Sequence, residues 1–595
     1  MAFTMTVAEL IDADTSGLLG KYLTWERVPL TDVASILNGA PFDSAFFNTT
    51  EGVPLVRIRD VIAGETNTYY SGMYDEAYLV RQGDLLVGMD GDFNSAFWGA
   101  KKALLNQRVC KISPNETFYN KRLLALALPG YLAAINANTP SVTVKHLSAK
   151  TIGEIGLPLP PRGEQDRIVE KLEELLSDLD AGVAELKAAQ KKLGQYRQSL
   201  LKAAVGGALT ADWREARRKN TTPQEAGAQL LQRILTERRA SWEVKQLAKF
   251  AEQGKIPPKG WEKKYSEPMQ PDTSNLPELP KDWIWASIDQ LTIEQKYGSS
   301  AKTNEVSTGI PILRMGNIQD GNLDFTSLKF LPANHEEFPS LFLQEGDLLF
   351  NRTNSPELVG KTAVYRSQIS PCSFASYLIS VRFSQNYIPE LASTFINSAY
   401  GKHWIKSVVV QQVGQANVNG SKLSALAVPL PPFEEQKEII SSLQIQLDQI
   451  VEQLKNVDIS LKQSAAQRKN ILKAAFSGQL VPQDPKDEPV SVLLQRIRAA
   501  RSERDKQPKV RRTKQQKEIS AIMSKLIDVL AEAGDWVPAQ EAFRRCGVTD
   551  GALTDQLETL YGELRSLDKA GRLAVEVVVD KQGRKLHDRL KLLVI

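Results

Sequence analysis

The sequence predicts an α+β protein assembled by internal duplication: a domain of short strands and a few helices, then one long helix, written twice. Three observations predict it. First, PLPPRGEQDRIVEKL from Pro158 aligns without a gap on PLPPFEEQKEIISSL from Pro429, an offset of 271 residues. Second, LLKAAVGGAL from Leu200 still falls on ILKAAFSGQL from Ile471 at that same offset, so the match survives more than forty residues without an insertion. Third, the copies extend both ways. GVPLVRIRDV at Gly52 matches GIPILRMGNI at Gly309, GDLLVGMDGD at Gly83 matches GDLLFNRTNS at Gly346, and LLQRI at Leu230 recurs at Leu493, with offsets of 257, 263 and 263. A repeat of this kind decides the architecture before any single element does. The drifting offset places length changes in loops, where they are tolerated and where binding residues concentrate.

Each copy opens with 130 to 150 residues, 25–157 and 283–428, rich in short β-type runs: VPLVRI, DLLVG, IPILRM, DLLFN and YLISVRF. Gly, Asn, Asp and Pro separate them. Helical stretches such as NKRLLALALPGYLAAI and IPELASTFINSAYGKHWIKS intervene. Many short strands close most naturally as a curved or barrel-like sheet.

The segments 158–206 and 429–478 read as long helices. Their Pro-rich starts fix an extended approach, and Glu164 and Glu435 fall in the first turn, where a carboxylate suits the helix dipole. A seam at 168, 172, 175, 179, 183, 186, 190, 193, 197 and 200 is apolar at eight of ten positions. Its counterpart, 439 to 471, is apolar at seven of ten, and Arg197 matches Arg468. The 3–4 spacing, with one stutter, predicts that the helices pair with each other as an antiparallel coiled coil about 60 Å long.

Hydrophobic residues are 42% and charged residues 24% of the 595, an ordinary globular balance. No apolar run nears the ~20 residues that span a bilayer, and MAFTMTVAELIDADTSG lacks the order of a signal peptide. Cys110, Cys372 and Cys546 are far apart, which points to a reducing, cytoplasmic setting. The four histidines, at 146, 335, 403 and 587, are scattered and suggest no metal site. There is no NPPY-type methyltransferase motif, no glycine-rich methyl-donor loop and no GxxxxGK[ST] phosphate loop. These readings point away from an enzyme.

PLPP-x2-EQ twice, each after a strand-rich domain and before a long helix ending LLKAAxxGxL, resembles the specificity subunits of type I restriction–modification enzymes. The resemblance covers about residues 25 to 505. It implies two target recognition domains, each reading one half of a bipartite, asymmetric double-stranded DNA sequence. It also implies paired helices that set the spacer and dock modification (methyltransferase) subunits, with restriction (translocase/endonuclease) subunits completing the complex. No cofactor is expected on this chain; S-adenosylmethionine, ATP and Mg would belong to the partners. A stand-alone winged-helix regulator and a coiled-coil scaffold are the alternatives.

Arg suits guanine, and Asn or Gln suits adenine, in the major groove. The candidate DNA-binding residues are therefore Arg57, Arg59, Asn94, Lys101 and Lys102 in the first copy. In the second they are Arg314, Asn317, Arg352, Asn354, Lys361, Gln415 and Asn417. Charge argues for help from partners: segment 25–157 has 12 basic and 13 acidic residues, and segment 283–428 has 11 of each. Phosphate neutralisation needs a concentrated basic surface. One candidate is the run Lys506 to Lys517, a solvated linker or a phosphate-binding arm.

The remaining partition is an N-terminal segment 1–24, a linker region with a helix at 207–282, a helical and basic linker at 479–517, and a small domain at 518–595. The last reads as three helices and two strands around an Asp-Lys-Gln-Gly turn, a winged-helix-like module. Its helix after Thr549 is acidic, which favours docking onto protein over entering a groove.

Overall fold

A computed structural model of the chain describes residues 5–139, 145–219, 225–274, 276–355, 358–412, 415–506, 525–548, 554–579 and 585–593. It comprises two compact units, Met1–Val183 with Leu461–Ile595, and Ala184–Ser460. Each holds one recognition-type domain.

In the first unit, strand Glu26–Pro29 pairs antiparallel with Gly156–Leu159, which seals the domain where the long helix begins. Four antiparallel strands follow in the order Ala34–Asn38, Val109–Pro114, Leu85–Gly88, Asn94–Phe97. A second sheet contains Val53–Val56 running parallel to Lys102–Leu105. Helix Lys121–Asn138 is capped by Asn120, whose side chain accepts from the N–H of Arg122 and Leu123. It buries Leu124, Leu128, Tyr131 and Leu132, the stripe that a 3.6-residue period presents to a core.

The second unit repeats the plan. Ile284–Ser287 pairs with Ala427–Leu430. The four-stranded sheet runs Thr292–Tyr297, Leu378–Phe383, Leu348–Asn351, Thr362–Val364. Ile310–Leu313 lies parallel to Ser373–Phe374. The predicted helix from Pro389 is two helices, Pro389–Asn397 and Ala399–Val408, because Ser398 is extended and its hydroxyl donates to Phe395 O (2.6 Å).

Where the sequence predicts one curved or barrel-like sheet, each domain has separate sheets joined at a corner. At Gly39 the chain leaves one sheet and bridges the other through Ala40 and Asn106; at Gly298 it does so through Ser299 and Ala375. A Cβ would lie 2.1 Å from Asn106 O at the first corner and 2.4 Å from Ala375 O at the second, so only glycine allows the backbones to pass.

The long helices are Arg162–Val205 and Phe433–Phe476, 44 residues each. Each contributes one part to each unit, dividing after Val183 in the first helix and after Ser460 in the second. In the first unit Glu164 meets Gln483 and Asp180 meets Arg468; in the second Tyr196 meets Gln446 and Thr210 meets Glu435. Gln483 and Thr210 lie just past the helix ends, and numbers rise along one helix and its continuation as they fall along the other, so within each unit the two run antiparallel. The seam is buried at Ile168, Leu172, Leu200, Ile439, Leu443 and Ile450 and half-buried at most positions between. The matched arginines leave it: Arg468 pairs with Asp180 (2.6 Å), and Arg197 donates to Asp320 O (2.5 Å).

Glu164 and Gln165, and their counterparts Glu435 and Gln436, do more than suit a dipole. All four are buried. Trp25 Nε1 donates to Glu164 (3.0 Å), and Trp283 Nε1 donates to Glu435 (2.8 Å). Gln165 holds the backbone at Phe118, Asn120 and Pro160; Gln436 holds it at Ile388 and Pro431. The motif is thus a lock between the helix start and the domain preceding it.

Both helices end on a glycine in the left-handed region, Gly207 at φ +77 and Gly478 at φ +69. A Cβ would come within 2.5 Å of Pro280 at the former and of Tyr22 at the latter. Gly207→Ala or Gly478→Ala is expected to cost about 1 kcal/mol or more from conformation alone, measured as faster hydrogen exchange of peptides at that helix end in the full chain.

The C-terminal domain has helices Leu526–Ala533, Ala539–Arg545 and Thr554–Lys569, and strands Leu573–Val579 and Lys585–Leu592, with Val537–Pro538 as a third. Leu530, Phe543, Leu564 and Leu590 form its core. The predicted Asp-Lys-Gln-Gly turn, and the basic run beyond Lys506, lie outside the described residues.

Candidate nucleic-acid interface

The duplicated backbone defines one equivalent place in each domain, just past the strands Leu85–Gly88 and Leu348–Asn351. In the second unit Arg352 N donates to Tyr377 O (3.0 Å), and Val418 N donates to Arg352 O (2.9 Å). In the first, Met89 N donates to Arg108 O (3.0 Å), and Leu147 N donates to Met89 O (2.6 Å). The next residues pair as Thr353 with Asn417 and as Asp90 with His146. Framework and register are therefore the same.

The side chains on this framework differ. In the second unit the Arg352 guanidinium lies over the Tyr297 ring, 4.9 Å from its centroid. Tyr297 and Tyr377 are each nearly half exposed. Asn417 Oδ1 accepts from Thr353 Oγ1 (3.3 Å), and Asn354 Oδ1 accepts from Ser355 N (2.8 Å). In the first unit the place holds ionisable groups. His146 Nδ1 lies 2.5 Å from Asp90 Oδ1, and Arg108 Nε lies 3.2 Å from Asp90 Oδ2. One corner offers an aromatic-backed cation and amides; the other offers a carboxylate between two basic groups.

The sequence-predicted residues fall in several places. Arg352, Asn354, Gln415 and Asn417 come together, since strand Thr353–Asn354 pairs with Gln415–Asn417. The Gln415 side chain lies outside the described residues. Lys361 is half-buried and its carbonyl accepts from Asn351 N (2.9 Å). Asn94 sits beside Gly88, with Nδ2 on Asp92 O (3.2 Å) and Oδ1 buried with no partner among the described residues. The turn after Arg57 packs against that same glycine through Ile58. Arg57 is drawn to Asp60 (3.5 Å), whereas Arg59 is 71% exposed. Lys101 and Lys102 are exposed, Lys102 on the other sheet opposite Arg81.

Asn317 is a correction. It is 3% exposed; its Oδ1 accepts from Arg314 N (2.9 Å), and its Nδ2 donates to Asp324 O (2.8 Å) and Ser327 O (3.2 Å). Asp60 fills the same role for Arg57 N (3.0 Å) in the first copy. An amide bonded on every side holds its turn and has nothing left for a base edge. Arg314 in turn donates to Ser327 O (3.2 Å). Asp90, Arg108, His146, Tyr297 and Tyr377 escaped sequence reasoning. Aligning the copies position by position past GDLLVGMD and GDLLFNRT would have exposed Asp90.

Among the described residues, no group of three or more His, Cys, Asp or Glu is placed to hold a metal. Nor is any helix among them long and apolar enough to cross a membrane.

A family model described as the type I restriction modification DNA specificity domain matches residues 22–188 and 280–461. The chain is 33% identical over 519 residues to the type I restriction enzyme EcoBI specificity subunit of Escherichia coli, covering 84% of this chain and 98% of that one. It is 23% identical to the EcoKI specificity subunit of Escherichia coli strain K12, covering 80% and 96%. A solved chain described under "Structural basis underlying complex assembly and conformational transition of the type I R-M system" shares the fold. Its TM-score is 0.51 at 16% identity, over 77% of this chain and 98% of that one.

Proposed function

The chain belongs to the DNA specificity subunits of type I restriction–modification systems, and from that premise we propose that its two domains read two different half-sites of one bipartite, asymmetric target. The observation that carries this reading is the shared corner bearing different chemistry. Arg352 suits a guanine edge, and Asn354, Gln415 and Asn417 suit adenine. In the other copy Arg108 suits guanine, and Asp90 can accept from the cytosine amino group. The long helices set the spacer and dock the modification subunits.

The chain itself is non-catalytic in this reading and works in the cytoplasm. S-adenosylmethionine, ATP and Mg serve the modification and restriction subunits. Because both domains are near neutral, isolated chain binds DNA weakly and the assembled complex binds it tightly. The C-terminal domain, winged-helix-like in its order of elements, docks protein.

The test is methylation mapping of a host carrying the chain with residues 283–428 exchanged for those of another specificity subunit. The expected result is a new sequence in one half of the target and the old one in the other. An unchanged methylated sequence would leave only a scaffold. Loss of the target on deleting residues after 515 would leave a winged-helix regulator.

A further inference from the structure

The stretch between the two family-matched regions contains helix Gly227–Glu252, of which only Gly227, Leu230 and Ile234 are buried. Past Ile234 the helix packs on the chain that follows it. Trp242 stacks on Trp261 with ring centroids 5.7 Å apart, Tyr265 meets Trp242 edge-on (5.3 Å), and Phe250 meets Trp261 (6.0 Å). The base of this hairpin is fixed to the second recognition domain. Arg238 donates to Asp289 Oδ1 (3.0 Å), and Asp289 Oδ2 accepts from Met269 N (2.9 Å). It is a braced prong.

Residues 235–264 carry eight basic and four acidic side chains, a net +4 in thirty residues, equal to the net charge of the whole chain. Arg238 and Arg239 are engaged with acids. The side chains of Lys245, Lys249, Lys259, Lys263 and Lys264 are exposed and have no ion pair or hydrogen bond among the described residues; that of Lys255 bonds only Gln253. Lys245 and Lys249 stand one helical turn apart, a like-charged pair that costs stability unless an anion lies across it. A rigid, cationic, aromatic-braced surface beside a neutral recognition domain fits a polyanion.

We infer that this prong grips the DNA phosphate backbone independently of sequence and supplies adhesion that the recognition domains lack. The inference rests on the specificity-subunit reading. Replacing Lys245, Lys249, Lys255, Lys259, Lys263 and Lys264 by Gln in the full chain, co-purified with its modification subunits, tests it. Binding is followed by anisotropy on two labelled duplexes, one with the mapped target and one unrelated, across a salt series. Both duplexes should lose affinity by the same factor, on the order of tenfold or more at physiological salt. The slope of log K against log salt should fall by about 0.9 for each phosphate no longer neutralised. A six-Lys→Arg variant should restore both, the methylated sequence should not change, and the near-UV signal of the Trp242–Trp261 stack should persist. An unchanged slope overturns the inference. So does a loss confined to the target duplex, or loss of the modification subunits on gel filtration, which would make the prong a protein-docking surface. If methylation mapping shows no sequence dependence on this chain while the slope still falls, the specificity reading fails and the phosphate grip stands.

Discussion

Glu435→Gln is expected to lower the stability of the second unit by about 3 kcal/mol, whereas Glu164→Gln costs the first unit about 1 kcal/mol or less. The two glutamates share a position, a tryptophan donor and complete burial, but differ in their other partners. Glu435 Oε1 accepts from Arg214 Nη1 (2.5 Å) and Thr210 Oγ1 (2.7 Å). Arg214 is itself mostly buried and also holds Gly207 O (2.5 Å). Removing the charge at 435 leaves a buried guanidinium facing a neutral amide, the costly way to break such a pair. Glu164 instead takes Trp25 and Gln483, both neutral, while Arg167 is engaged by Asp487 (2.7 Å).

Glu164 also makes the stability of its unit depend on pH. Burial pushes the Glu164 carboxyl above its ordinary value, against the pull of the Trp25 hydrogen bond and of Arg167. The folded state then retains a proton that the unfolded chain has released, so stability falls as pH rises from the ordinary carboxylate value through the raised one. Glu164→Gln should flatten that slope. Because a chain of several domains does not melt as one step, hydrogen exchange read by peptides within each unit is the measurement. Equal losses at 164 and 435 would refute the assignment.

Arg352→Ala is expected to weaken discrimination in one half of the target by tenfold to a hundredfold, corresponding to one bidentate base contact of about 1–3 kcal/mol. Its guanidinium is pre-placed by the Tyr297 ring and by Ser376 O (3.4 Å), so little side-chain entropy remains to be lost on binding. Methylation mapping should show relaxed sequence at one position and an intact second half. A uniform loss over all sequences would make Arg352 a phosphate contact. Asn317→Ala should behave differently, loosening its turn and lowering stability with no relaxation of sequence.

Much of the fold is legible in the sequence because the signals are local. The short strands at Val53, Leu85, Ile310, Leu348 and Leu378 follow from apolar runs bounded by turn residues. The helix starts follow from PLPP, and the seam follows from 3–4 spacing. The corner is less legible. Asp90, Arg108 and His146 are 18 to 56 residues apart in sequence and meet only because strand pairing fixes their register. Asn317 illustrates the converse. An Asn in a loop after a strand has the chemistry of a base reader, and only its neighbours show that its amide is already used.

The sequence alone determined the duplication, the order of elements and the two long helices, since self-similarity at a fixed offset and periodicity need no knowledge of contacts. Only the tertiary structure decided that EQ is a buried lock, that Asn317 holds a turn, and that one backbone corner carries two chemistries. Those properties depend on which donors and acceptors are brought within about 3 Å of one another, and that is set by packing between segments distant along the chain.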